Sequence, residues 1–466
     1  MKPLKVAFLW HQHQPYYRLK HRFILPWVRL HGAKDYFDLP DILHEFPEVK
    51  QNFNFVPSLN IQLNEYISGE VQDEVQELTK LRAAELSKAQ KQKILDLFFL
   101  CNKEHLIDPH QRYKELYDRS RDHEHALQSF KSGDWRDLQV WYNLTWFGYF
   151  SSKSNRIKRL FNKGKDFTEK EKHLVLDLQL DILKKIIPQL KDLQDLDQIE
   201  ISVSAMYHPI LPLLIDSTSA KEAQPDTIMP DPLYKYPEDA KYQISKANNY
   251  YEEIFDKRSL GMWSPEGSIS DETLQMLAEN GIEWTASDEM ILANSSTNYH
   301  HLDKFFPRKF EKNEKEITLF FRDHSLSDKI GFEYSRWNPW DAANDFTHHL
   351  HNIRNDIIDH FGENALKYAV VPVILDGENC WEYYKENGVP FLRELFSRLT
   401  TDDLLKTVTF EEALEDHANE YLESIRHITA GSWINANFNI WIGDIEDRTA
   451  WNFLSNARQT LENKKN

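Results

Sequence analysis

The sequence predicts an α/β fold, a barrel of parallel strands, on three observations. Short apolar runs of strand character recur roughly seven times, helical sequence separates most of them, and each run ends in His, Glu, Asp or Arg. In a parallel barrel the active site lies at the C-terminal face of the strands, so these polar ends would converge. A doubly wound open sheet also alternates strands and helices. It calls for a glycine-rich phosphate loop after the first strand, and His11 to Tyr17 holds no glycine, so the barrel is preferred.

Taken in order, Lys5 to Trp10 reads as a buried strand and stops at His11-Gln12-His13-Gln14-Pro15. Phe53 to Leu59 reads as a second strand. From Glu65 to Asp108 the chain is charged and helix-favouring, with Val75, Leu78, Leu81, Ile94, Leu97 and Phe98 at helical spacing, and helices are expected to about Leu196. Trp135 to Phe150 is aromatic-rich and is expected to be a helix reaching back over a site. Strand character returns at Ile199 to Met206, closing on Tyr207-His208-Pro209, and a helix follows from Pro237 to Lys257.

Next comes Gly261 to Ser270, where Glu266 stands between Trp263, Pro265 and Gly267 at an expected turn. The helix behind it has Leu274, Leu277 and Ala278 on one face and Gly281 as its stop. Ile282 to Ala286 is a strand ending at Ser287-Asp288-Glu289, and Ile317 to Phe321 another, ending at Arg322-Asp323-His324. Phe346, Leu350, Ile353, Ile357 and Phe361 align on an amphipathic helix closed by Gly362. Tyr368 to Leu375 is apolar and ends at Asp376-Gly377-Glu378. Beyond Val389 the chain reads mainly helical, through Asp416 to Ser424, with an aromatic segment at Gly431 to Gly443 and a last helix from about Glu446.

At 466 residues the chain can bury a deep site. A formal charge of −18, from 74 acidic against 56 basic residues, argues against nucleic acid or an anionic membrane as partner. A neutral ligand fits better, and the 13 Trp residues offer rings on which sugars stack, although a large core would absorb many of them. Two cysteines, Cys101 and Cys380, exclude a disulfide framework. With too short an apolar run for a signal peptide at the N-terminus, the expectation is a cytoplasmic protein.

Glu266 and Asp376 are the strand-end carboxylates in the most constrained surroundings, and paired carboxylates are the equipment of glycoside hydrolysis. Burial on an apolar strand raises a carboxyl pKa, which favours Asp376 as the proton-holding group. His11, His13, His208 and His324 at strand ends are open to two readings, zinc ligation or hydrogen bonding to sugar hydroxyls. His348, His349 and His351 are read as a solvated helix face. Arg322 and Asp323 either contact substrate or form a structural ion pair.

The motifs His11-Gln12-His13-Gln14-Pro15, Ser204 to Pro209, Gly261 to Gly267, Leu375 to Asn379 and Gly431 to Asn435, in that order, resemble the five sequence regions of glycoside hydrolase family 57. The resemblance implies an incomplete, seven-stranded (β/α) barrel with a helical region after it, and a retaining enzyme acting on α-glucan oligosaccharides or polysaccharides. It makes Glu266 the nucleophile and Asp376 the general acid/base, with His13 and His208 hydrogen-bonding the sugar and Trp263 and Trp433 stacking on it. His11, Asp288, Arg322 and Asp323 complete the candidate substrate-binding set. No metal and no cofactor is implied.

The surroundings look most like the α-amylase and amylopullulanase group, as a minimal catalytic unit. The expected division is a barrel at residues 1–385 with a helical insertion around 65–196, and a helical region at 386–466 completing the cleft. A 4-α-glucanotransferase or branching enzyme would use the same two carboxylates. Readings of other classes are a non-catalytic glucan-binding relative and a metal-dependent deacetylase or mannosidase.

Overall fold

The computed structural model describes residues 2–415 and 423–465. The strands that position the site are β1 (Leu4–Gln12), β2 (Gln51–Phe55), β3 (Ile199–Ser202), β4 (Gly261–Met262), β5 (Trp284–Asp288), β6 (Arg308–Lys312), β7 (Lys315–Arg322), β8 (Val370–Asp376), β9 (Leu405–Thr407) and β10 (Glu423–Ile425). All nine residues of β1 are buried. It lies inside a parallel sheet of order β8, β1, β2, β3, with β9 also pairing with its start. Both faces of such a strand are covered, which is why its sequence is a continuous apolar run with no alternation.

A second sheet has the order β10, β6, β7, β5, β4. Here β7, β5 and β4 are parallel, and β6 returns antiparallel to β7. A single parallel bridge, Val203 to Met262, joins the sheets at β3 and β4. At the other side the Asp323 amide donates to the Pro372 carbonyl at 2.8 Å and Arg322 Nε to the Ile374 carbonyl at 2.7 Å. These bonds tie the end of β7 to β8 without a ladder, and among the described residues no ladder closes the strands into a ring.

Several elements differ from the sequence reading. Pro57 opens a helix, Pro57–Ser68, so the second strand stops at Phe55; proline at a first helical position forfeits no bond. The run at 199–206 leaves its sheet after Ser202, and the aromatic helix is Ser132–Leu144, with Trp146 and Phe147 in turns beyond it. In the stretch read as helix from Asp416 to Ser424, residues 416–422 lie outside the described residues, and Glu423–Ile425 is a strand beside β6.

The helices between 65 and 196 pack on the sheets. Phe8 and Trp10 of β1 share one contiguous core with Leu183 and Ile186 of the helix Glu169–Asp195. Arg29 and Asp73, both fully buried, pair at 2.8 Å across the same region. Among the described residues no helix is long and apolar enough to cross a membrane.

Candidate active site

Strand register brings the polar ends together. In β1, His11 lies beside Asp376 of β8 on one side and Asn54 of β2 on the other. Asn54 in turn lies beside Ser202 of β3, and Arg322 of β7 beside Asp288 of β5.

Glu266 follows β4 in a tight turn, and its own φ is +59°, as is that of Gly267. A non-glycine residue in the left-handed region is held there by its surroundings. A Cβ on Gly267 would come within 2.9 Å of the Trp263 ring, so glycine is also required for the close approach. The segment after the turn bridges antiparallel to the C-terminal chain, Ile269 with Gly431. That pairing delivers Trp433, whose indole N–H donates to Glu266 Oε2 at 2.9 Å and whose amide donates to the Glu266 carbonyl at 3.0 Å. The Glu266 side chain is 22% exposed. Burial raises its pKa to about 7, with the indole bond opposing and the Asp376 charge adding to the rise.

Asp376 ends β8 half-buried, its Oδ2 accepting from Asn379 Nδ2 at 2.8 Å. Burial lifts the carboxyl at the turn, Glu266, which the sequence reading cast as the nucleophile, because desolvation follows what encloses the group.

The three histidines form a stack. His13 and His208 lie 3.8 Å apart by ring centroid, and His11 lies 5.0 Å from His208 and 5.6 Å from His13. Asn54 Nδ2 donates to Ser202 Oγ, so its Oδ1, 2.7 Å from His11 Nδ1, accepts from that nitrogen. Burial lowers the pKa of all three, that of His13 to about 3, and the mutual repulsion of the rings adds to this for His13 and His208. Three neutral imidazoles therefore stand beside Glu266, with His208 Nδ1 3.7 Å from its Oε1.

A sequence profile described as glycosyl hydrolase family 57 matches residues 7–426. The chain belongs to glycosyl hydrolase family 57. No curated protein matches it. Among solved structures it is similar to the family-57 branching enzyme TK1436 from Thermococcus kodakaraensis, solved in complex with glucose and additives. The identity is 16%, covering 97% of this chain and 77% of that one, with a TM-score of 0.58. The α-amylase AmyC from Thermotoga maritima is 16% identical over 95% of this chain and 79% of that one, TM-score 0.54. The 4-α-glucanotransferase from Thermococcus litoralis is 16% identical over 93% of this chain and 43% of that one, TM-score 0.51. At these identities the likeness is one of fold.

Two cavities meet at the carboxylates of this family-57 chain. The first, about 720 Å³, is lined by His11, His13, Tyr17, Glu266, Asp376 and Trp433. The second, about 1080 Å³, shares Glu266, Asp376 and Trp433 and runs past Arg322 to Phe332 and Trp337. Trp263 lines neither; fully buried, it packs edge-on against Trp433 and beside His11. Arg322 pairs with Asp288 at 3.4 Å and with Asp328, and lies over the Trp433 ring. Asp323 caps the helix His324–Asp328 and pairs with Lys304 at 2.8 Å. Arg322 and Asp323 thus pair with other partners, not with each other. His324 sits with Asp288 and Asp328, apart from the histidine stack. On the helix Pro339–Phe361, His349 pairs with Asp345 and His351 with Asp402.

Sequence reasoning gave Glu378 no role. It is 3% exposed and lines the first cavity; Gln14 donates to its Oε1 at 3.1 Å, while its buried Oε2 has no partner. Burial, with the Asp376 charge adding, pushes its pKa well above the usual carboxylate range. The available signal was its position two residues beyond Asp376. Phe332, in the short helix Lys329–Glu333, and Trp337, just beyond the turn that follows it, had none, since exposed rings in so short a segment carry no periodicity.

Proposed function

We propose that this chain is a retaining glycoside hydrolase of the α-amylase and amylopullulanase type, cleaving α-1,4 glucosidic bonds in α-glucans. The observation that carries the reading is that Glu266, in the turn after β4, and Asp376, at the end of β8, face the same two cavities. Glu266, ionised, attacks the anomeric carbon while Asp376 protonates the departing oxygen, giving a covalent glycosyl-enzyme. Asp376 then takes a proton from water, and the second inversion gives net retention.

The Trp433 indole favours the ionised form of Glu266, as a nucleophile requires. His13 and His208, neutral, hydrogen-bond the sugar at the scissile bond, with His11 beside His13 on the wall of the first cavity. Trp433 and Arg322 line the cleft, and Trp263, Asp288 and Asp323 act through the residues they hold. The seven strands β1, β2, β3, β4, β5, β7 and β8 are read as an incomplete barrel, consistent with the bonds between the ends of β7 and β8. On this reading residues 1–385 form the catalytic domain and residues 386–466 complete its cleft through Trp433. With no paired cysteine among the described residues, a cytoplasmic setting is proposed.

A second reading, 4-α-glucanotransferase or branching activity, draws on the exposed rings of Phe332 and Trp337 along the larger cavity, where an acceptor glucan would stack. Incubation with maltoheptaose, resolving products by size and counting reducing ends, decides between them. Shorter products with rising reducing ends mean hydrolysis; longer and shorter products at a constant count mean transfer. No change with any α-glucan would sink both.

A further inference from the structure

The histidine stack has a property that sugar binding does not use up. One nitrogen or oxygen from each of His11, His13, His208 and Glu266 lies within 4.8 Å of every other. In a tetrahedral zinc site with bonds near 2.0–2.1 Å, neighbouring ligand atoms are about 3.3 Å apart. Rotamer adjustments of about an ångström therefore bring the four donors to bonding distance.

We propose that His11, His13, His208 and Glu266 bind a divalent transition-metal ion of the zinc class, and that the bound ion blocks the nucleophile. His11 carries the clearest sign. Its Nδ1 is held by Asn54, itself fixed by Ser202 and Ser204, and its Nε2 is buried without a partner. A ligating histidine is oriented in this way, one nitrogen donating to a fixed carbonyl and the other left as a lone pair. His208 also has a buried, unpartnered Nε2.

The chemistry of the donors selects the ion. Three imidazoles and one carboxylate suit zinc, copper or nickel, whereas magnesium and calcium prefer all-oxygen shells. Glu266 supplies the one anionic donor, and its carboxylate and the three imidazole nitrogens stand within reach of one another. The consequence is inhibitory. An ion here takes the Glu266 lone pair needed for attack and occupies the space of the sugar, so ion and glucan compete.

The test is zinc sulfate titrated into the chelator-stripped chain, followed by calorimetry and by metal content after dialysis. One zinc per chain is expected, with affinity lowered at least about 10-fold in His13→Ala and in His208→Ala, and by about 10-fold in Asn54→Ala. No stoichiometric zinc, or binding unchanged in both histidine variants, overturns the proposal. Should those variants fail to fold, cobalt(II) added to the unaltered chain gives the same decision. Strong visible absorption marks a four-coordinate site, and the weak spectrum of hydrated cobalt overturns it. These readouts do not need a glucan substrate. Where maltoheptaose activity is present, zinc is expected to raise KM with little change in kcat, reversibly by chelator; inhibition that glucan does not relieve would overturn the competitive role.

Discussion

Trp433 holds Glu266 twice, by its indole N–H to the carboxylate at 2.9 Å and by its amide to the carbonyl at 3.0 Å. One residue thereby sets both the backbone turn and the charge of the proposed nucleophile. Because the indole bond opposes the effect of burial on Glu266, Trp433→Phe is expected to raise that pKa further. The acidic limb of the kcat/KM profile, near pH 7 in the parent, should move up by about one pH unit, with activity at pH 7 falling about fivefold. An unmoved limb would show that the bond does not tune Glu266.

Asp376→Asn separates the two halves of the reaction. On maltoheptaose the loss should be about 10²- to 10⁴-fold, the usual worth of a general acid. An α-maltoside with a 4-nitrophenolate leaving group needs no proton, so its first turnover should persist as a burst of nitrophenol followed by slow release. Equal loss on both substrates, with no burst, would remove Asp376 from this role.

Glu266→Gln tests the cost of the buried charge. A carboxyl whose pKa is raised from 4.5 to about 7 on folding favours the protonated folded state. Its stabilising effect is complete below the unfolded pKa and is lost as pH rises through the folded one. The neutral variant escapes that loss. It should be more stable than the parent at pH 8 by up to about 3 kcal/mol, with the difference vanishing near pH 4.5. Urea unfolding at both pH values measures this, and a pH-independent difference would contradict it.

Glu378 is expected to act as a neutral group. Its Oε1 accepts from Gln14, and the proton on the other oxygen can be replaced by an amide N–H, so Glu378→Gln should keep stability within about 1 kcal/mol. Glu378→Ala should cost about 1–3 kcal/mol, leaving Gln14 Nε2 with Tyr36 as acceptor and one N–H unpaired. Thermal melts compare them, and a severe defect in the Gln variant would mean that the carboxylate form is the one required.

Gly267→Ala meets two obstacles, a φ of +59° and the Trp263 ring 2.9 Å from the new Cβ. A loss of about 1–3 kcal/mol is expected, together with a large fall in kcat as Trp263 is pushed towards Trp433. Wild-type stability in chemical unfolding would show that the turn relaxes freely.

Much of the fold was legible because its signals are local. Apolar runs such as Val370 to Leu375 mark strands covered on both faces, and Pro265 with Gly267 marks a turn wherever the chain goes next. The failures are local too: Phe53 to Leu59 carries Phe53, Phe55, Val56 and Leu59 in one short run, and only the helix-starting geometry at Pro57 divides it. Trp263 was expected to stack on the sugar, but it is wholly buried and lines neither cavity, which nothing in its surroundings along the chain reveals.

By itself, then, the sequence determined the alternation of strands and helices, the polar residues at the strand ends and the five ordered motifs of the family. These depend on side-chain type and short spacing. Tertiary structure alone decided that Trp433, 167 residues from Glu266, would donate to it, that Arg322 would pair with Asp288 and Asp323 with Lys304, and that three histidines would stack. It also decided that burial would lift the pKa of Glu266 and Glu378. The reason is desolvation and direction: a carboxylate's charge and an imidazole's free nitrogen depend on which atoms enclose them, and those atoms arrive from distant parts of the chain.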